Sequence, residues 1–267
     1  MQAGVVAAPR GLDAAWVGRL QGLRGRGWAL IPVASIVGVI FAIRYASATA
    51  GWLTYLALVA VPILAALALG WVTRGARPWL ALIAAALFVV AWRTPYSLAG
   101  EAAGALLSGL SCVTLGALLA AVTPSRWLKL GIIAMACADV WLIASDQLQA
   151  PNNELVAAKP GGGLPQLQSE QFGSISMGYG DLFVAALLGG VYAARARVQR
   201  IAALLTLALA ALFDLLFLVA DNLPATAPVA LALLTVELGL ARGRLRRGVS
   251  ARCGRSRRED VIPPPVT

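Results

Sequence analysis

Long apolar runs separated by short polar joints dominate the chain, near residues 28–47, 51–71, 78–93, 98–123, 128–146, 175–194, 200–220 and 223–241. A helix needs roughly 20 mostly apolar residues to cross about 30 Å of hydrocarbon. Lipid offers no partner to an unpaired backbone group, so such runs cross as helices. The pattern predicts an all-α fold, a polytopic membrane helix bundle of about eight transmembrane helices. The run 78–93 is short, while 98–123 is long enough to tilt or to keep Glu101 near an interface. Polar sequence gathers in a leader (1–27), one long connection (146–176) and a tail (242–267), which leaves 28–241 as a single transmembrane domain without an evident internal repeat.

Charge orients this pattern. With residue 1 on the inside, the alternating joints place all but Arg44, Arg93 and Lys159 of the 22 basic residues on that side. The positive-inside rule then predicts cytoplasmic termini and an outward-facing loop 146–176. The first run ends in "SATA", so cleavage as a signal peptide is an alternative, although a 27-residue polar leader is long for one. The basic tail "ARGRLRRGVSARCGRSRRED" suits anionic lipid and anchors the orientation, and no nucleic-acid partner is expected.

Composition narrows the chemistry. Hydrophobic residues make up 60% of the 267, charged residues 13%, and the mean hydropathy is +0.78. The chain has no His, which excludes an imidazole base, a Ser/His dyad and an HExxH zinc site. Cys112, Cys137 and Cys253 have neither disulfide nor metal-ligand spacing, so no metal or cofactor is expected. Carboxylates remain as candidate catalytic groups. Abundant Ala and Arg point to a bacterium with a GC-rich genome, and so to its inner (plasma) membrane.

The stretch "ISMGYGDLF" (175–183) is the most telling. It resembles a potassium filter in wording, but Pro160, Gly161 to Gly163 and Pro165 break any preceding pore helix, and an apolar run follows Asp181. Asp181 is therefore expected inside the start of a span. An ionisable group there is costly and marks a functional site with a partner. The partner is Asp139 on the preceding antiparallel span, six residues from its outer end, as Asp181 is six residues from Ile175. Both would lie about 9 Å below the same surface. Two such carboxylates share one proton, so one can deprotonate water while the other polarises a peptide carbonyl. Gly178 and Gly180 would let a backbone come close. A helix-capping Asp is the simpler alternative.

In these residues the chain resembles the presenilin and signal peptide peptidase family of intramembrane aspartyl proteases. That family has an Asp, usually after Tyr, on one span, Gly-x-Gly-Asp on the next, and Pro-Ala-Leu at the start of the last. "CADVWLIAS" supplies Asp139, "MGYGD" supplies Asp181, and "DNLPATAPVALALL" is similar to the third element, over about residues 128–241. The resemblance implies a presenilin-like fold, catalytic Asp139 and Asp181, and substrate-binding Gly178, Tyr179, Gly180, Pro224, Ala225 and Thr226. It also implies a transmembrane peptide or protein as substrate. Ala138 replaces the usual Tyr, with Trp141 as a candidate substitute for its ring. The third motif is degenerate, with Pro228 as the second choice of proline. The predicted orientation is that of signal peptide peptidase, with one span fewer than the usual nine.

Other readings stay open. A prepilin-peptidase-like protease would pair Asp181 with Asp146. A proton-coupled transporter would use Asp139, Asp181 and Asp214 as a relay. Asp221 and Glu237 sit near span ends, within reach of headgroup water. Gly189-Gly190 reads as a close-packing surface. An unwound substrate could add as a strand to the outer loop, at 153–158 or 171–177.

Overall fold

Helices form where the apolar runs lie. The computed structural model describes residues 1–11, 46–95, 97–145, 157–158, 160–167, 169–172, 175–216 and 224–242. Helix α1 is Gln2–Ala7. Helix α2, Ala46–Leu67, continues through a π turn, Ala68–Val72. A 3₁₀ turn with Pro78 at its start, where proline costs no hydrogen bond, leads into α3, Ala81–Arg93. Ser97 caps α4, Leu98–Val122, by accepting from the Gly100 N–H. Thr123-Pro124 separates it from α5, Ser125–Ala144. Strands β1, Ser169–Phe172, and β2, Ile175–Gly178, pair antiparallel, with Phe172 opposite Ile175 and Ser169 opposite Gly178. Then come α6, Tyr179–Tyr192, α7, Ala196–Leu216, and α8, residues 227–242.

The protein is an all-α membrane helix bundle with, among the described residues, one short pair of strands. Ala50–Val72, Leu98–Val122, Ser125–Ala144 and Ala196–Leu216 are long and apolar enough to cross a membrane, and Pro78–Arg93 and Tyr179–Tyr192 are shorter apolar helices. Large apolar side chains such as Trp52, Leu82 and Leu212 point outward, as lipid rather than water as the surrounding solvent requires. The expected first span, 28–47, lies outside the described residues except for its last two, which begin α2. Residues 12–27 and the tail from 243 also lie outside them.

Two expectations need correction. The span drawn at 175–194 is a helix only from Tyr179 to Tyr192, because Ile175–Gly178 is strand. Extended chain covers about 3.3 Å per residue against 1.5 Å in a helix. Four residues of β2 thus add about 13 Å to the roughly 21 Å of the 14-residue α6. Likewise, 171–177 is not one strand for an incoming partner, since it includes parts of β1 and β2, which already pair with each other. Of the other candidate strand, residues 153–156 lie outside the described residues.

Helix α6 is the hub. It packs against α1, α4, α5 and α7, and Leu182 and Val184 to Leu188 are all buried. A helix apolar on every face must be surrounded in this way. Its approach to α4 is close: a Cβ on Gly116 would stand 2.5 Å from the Ala186 carbonyl carbon, and one on Gly190 2.6 Å from the Gly116 oxygen. Small residues let such helices meet backbone to backbone. Val229, Ala232 and Leu233 bring α8 into the same core. A second cluster joins α2, α3 and α4 through Val61, Ala65, Ala84 and Leu107, and it includes Leu167 from the connection between α5 and α6.

The segment expected as the start of a polar leader packs into the bundle through Gln2, Val5, Val6 and Pro9, all buried. Val5 and Val6 are in the main core, and α1 packs against α4, α6 and α7. Charge begins only at Arg10, so "MQAGVVAAP" is itself apolar enough to be buried.

Candidate active site

Two neighbouring helices deliver the two carboxylates. Asp139 is half-buried near the C-terminal end of α5, and Asp181 is half-buried as the third residue of α6. The two helices pack together, and Asp139 lies within coulombic range of Asp181.

Each carboxylate has its own donor. Thr226 Oγ1 donates to Asp139 Oδ2 at 2.6 Å. Thr226 is buried at the turn that opens α8, which brings a helix N-terminus and its partial positive charge to Asp139. The Gly178 N–H donates to Asp181 Oδ2 at 3.1 Å. Asp181 thus performs the simpler capping role with one oxygen. Its other oxygen takes no hydrogen bond among the described residues. Two helix N-termini, those of α6 and α8, therefore lie beside the pair.

The remaining predicted residues divide. Gly178 and Gly180 are exposed, and a Cβ on Gly180 would meet nothing within 4 Å. The Gly178 backbone, at φ −72° and ψ 146°, suits any residue. A Cβ on Gly178 would stand 3.3 Å from Asp181 Oδ2, so that position lies close against the carboxylate, while the space at Gly180 is open. Tyr179 turns away: its hydroxyl meets Ser111 Oγ at 2.7 Å, and its carbonyl accepts from Cys112 Sγ at 3.7 Å. It fastens the motif to α4. Pro224 and Ala225 are half-buried, and the Pro224 carbonyl accepts from the Ala227 N–H at 3.1 Å. Of the two prolines, Pro224 precedes the threonine that reaches Asp139. Pro228 lies in the first turn of α8, where proline simply begins a helix.

Trp141 does not replace the missing tyrosine ring. It is 69% exposed, because two residues along a helix turn it about 200° away from Asp139. Asp214 is exposed on α7. Asp146 and Asp221 lie outside the described residues. Glu237, expected to reach headgroup water, instead accepts from Lys129 Nζ at 2.7 Å and Tyr192 Oη at 2.6 Å. That contact ties α5, α6 and α8 together. Among the described residues, no group of three His, Cys, Asp or Glu side chains gathers in a way that could hold a metal.

Sequence reading missed Ser111, Gln2 and Gln199. Each is a polar side chain within or beside an apolar run, and each is buried with a partner. That mismatch was the available signal, since burying a polar group is costly unless it is bonded.

No protein-family model, curated protein or solved structure matches this chain.

Proposed function

We propose that the protein is an intramembrane aspartyl protease of the presenilin and signal peptide peptidase type, hydrolysing a peptide bond within a transmembrane segment. The observation that supports this reading is that Asp139, held by Thr226, lies within coulombic range of Asp181, beside the open position at Gly180.

In this reading one carboxylate takes a proton from water as the water oxygen attacks the peptide carbonyl carbon. The other, protonated, donates to the carbonyl oxygen. Collapse of the tetrahedral adduct breaks the C–N bond: the departing nitrogen takes the proton held by the first carboxylate, and the second carboxylate takes back a proton from the adduct's hydroxyl as the carbonyl re-forms. A peptide bond inside a helix is shielded by its own turn, so the substrate must reach the site unwound. The open space at Gly180 suits an extended backbone. A proton relay needs Asp214 as its third member, and its exposed position on α7 supports the protease reading over the transporter. The bundle would sit in a bacterial inner membrane with both termini cytoplasmic, and the Arg-rich tail would lie against anionic lipid.

The test is cleavage of a helical membrane substrate by purified protein in lipid. Asp139→Asn and Asp181→Asn should each abolish turnover, the double variant should lose little more, and Asp214→Asn should keep most of it. Activity should be bell-shaped in pH, because the two carboxyls act in opposite protonation states. Turnover by either single dyad variant rejects the proposal.

A further inference from the structure

Residues 1–10 occupy a seat that reads main chain rather than side chains. Gln199, 1% exposed on α7, donates through Nε2 to the carbonyls of Val6 and Pro9, each at 2.9 Å, and to Gly189 at 3.3 Å. The Arg10 N–H bonds to the Val72 carbonyl and the Arg74 N–H to the Ala8 carbonyl, each at 3.0 Å, around a bridge between Pro9 and Thr73. Gly189 makes room, since a Cβ there would stand 2.6 Å from the Val6 oxygen. Gly109 faces the other side of α1, where a Cβ would stand 3.5 Å from Val5 Cγ2.

The seat leads to the candidate site. Gln2 Nε2 donates to the Ala225 carbonyl at 2.8 Å, and the next residue, Thr226, holds Asp139. The occupant "QAGVVAA" is small and apolar, and it sits between α4, α6 and α7. Backbone recognition by a fixed donor set with little side-chain room is how peptide grooves take sequence-tolerant guests.

We propose that this cleft is a peptide-binding groove filled in cis by residues 1–10, and that a transmembrane polypeptide rich in Ala, Gly and Val takes their place. The exchange trades one set of main-chain contacts for a similar set, so the incoming segment offsets the loss of the resident one. Residues 1–10 then act as a resident competitor beside Asp139. The proposal rests on the protease reading only for the fate of the bound peptide, because occupancy is a binding property.

The test locks the resident in place. Val5→Cys and Gly109→Cys are combined in a background where Cys112, Cys137 and Cys253 are alanine, and oxidation is verified by a gel shift that reductant reverses. The probe is a fluorescent Leu/Ala transmembrane peptide of about 25 residues with a central Gly-Val pair, titrated into protein in lipid nanodiscs. Reduced protein should bind it at least tenfold more tightly than the oxidised form of the same molecule. Val6→Ser, in the otherwise unchanged chain, should tighten binding relative to the parent, because it loosens the resident, whose Val6 is fully buried, and leaves the Gln199 and Arg74 donors in place. Equal affinity of the oxidised and reduced forms overturns the groove, and so does failure of the pair to cross-link. Cleavage of the same peptide is followed separately: binding that responds to the lock without any cleavage retires the dyad and leaves the groove standing.

Discussion

Thr226 donates its hydroxyl to Asp139 across 2.6 Å, joining the turn before α8 to the end of α5. The two residues are 87 apart in sequence. A hydrogen bond to an ionised group contributes about 1.5–3 kcal/mol. Thr226→Val keeps the shape and removes the donor, so kcat should fall about tenfold to a hundredfold with KM little changed. Thr226→Ser should restore most of the loss. Steady-state cleavage of one substrate by the three proteins checks this, and a Val variant with unchanged kcat refutes the link.

Gly180 offers a cleaner separation of fold from function. Nothing lies within 4 Å of a Cβ there, and Ala in a helical turn is favoured over Gly by about 0.5–1 kcal/mol. Gly180→Ala should therefore melt at or slightly above the parent temperature while cleaving at least tenfold more slowly, because the methyl group enters the substrate's space. Thermal unfolding and cleavage rate, measured on one preparation, decide it. Full activity would show the space unused.

Pro224 and Pro228 should behave differently on replacement by Ala. Pro228 is a helix-starting residue whose missing N–H had no partner to lose, so its variant should keep activity within about twofold. Pro224 sets the turn that presents Thr226, so its variant should lose activity with expression intact. Equal tolerance of both changes would reduce the motif to a helix start.

The contact of Glu237 with Lys129 and Tyr192 spans three helices that carry the candidate site. The Lys129 and Glu237 side chains are 29% and 38% exposed, so the ion pair is solvent-screened and contributes about 1 kcal/mol or less. Glu237→Gln should lower the melting temperature by only a few degrees, whereas Glu237→Leu, which also strands the buried end of Tyr192, should lower it further. Identical melting of the two would mean that the tyrosine bond carries no stability.

Reporter fusions at Asn153 and after Arg258 test the orientation. An exterior signal from the first and a cytoplasmic one from the second are expected from the distribution of Arg and Lys. In the bundle, Arg74, Arg77, Arg126, Arg195, Arg197 and Arg242 all fall at or beside the helix ends that alternation places on one side. An exterior signal from the tail would reverse the assignment.

Apolar run length and the alternation of basic joints determined that this chain is a membrane helix bundle, because hydrocarbon thickness and the cost of unpaired backbone act on sequence directly. The same logic singled out Asp139 and Asp181, since an ionisable group in an apolar run stands out without any structure. Tertiary structure alone decided how these groups are served. Thr226 rather than Trp141 attends Asp139, and Tyr179 is tied to Ser111 rather than facing the dyad. Glu237 finds Lys129 and Tyr192, and "MQAGVVAAP" is buried against Gln199. These relationships join positions far apart in the chain, and hydrogen bonds form wherever packing brings a donor to an acceptor. Local pattern records which side chains must find a partner, while the choice of partner belongs to the fold.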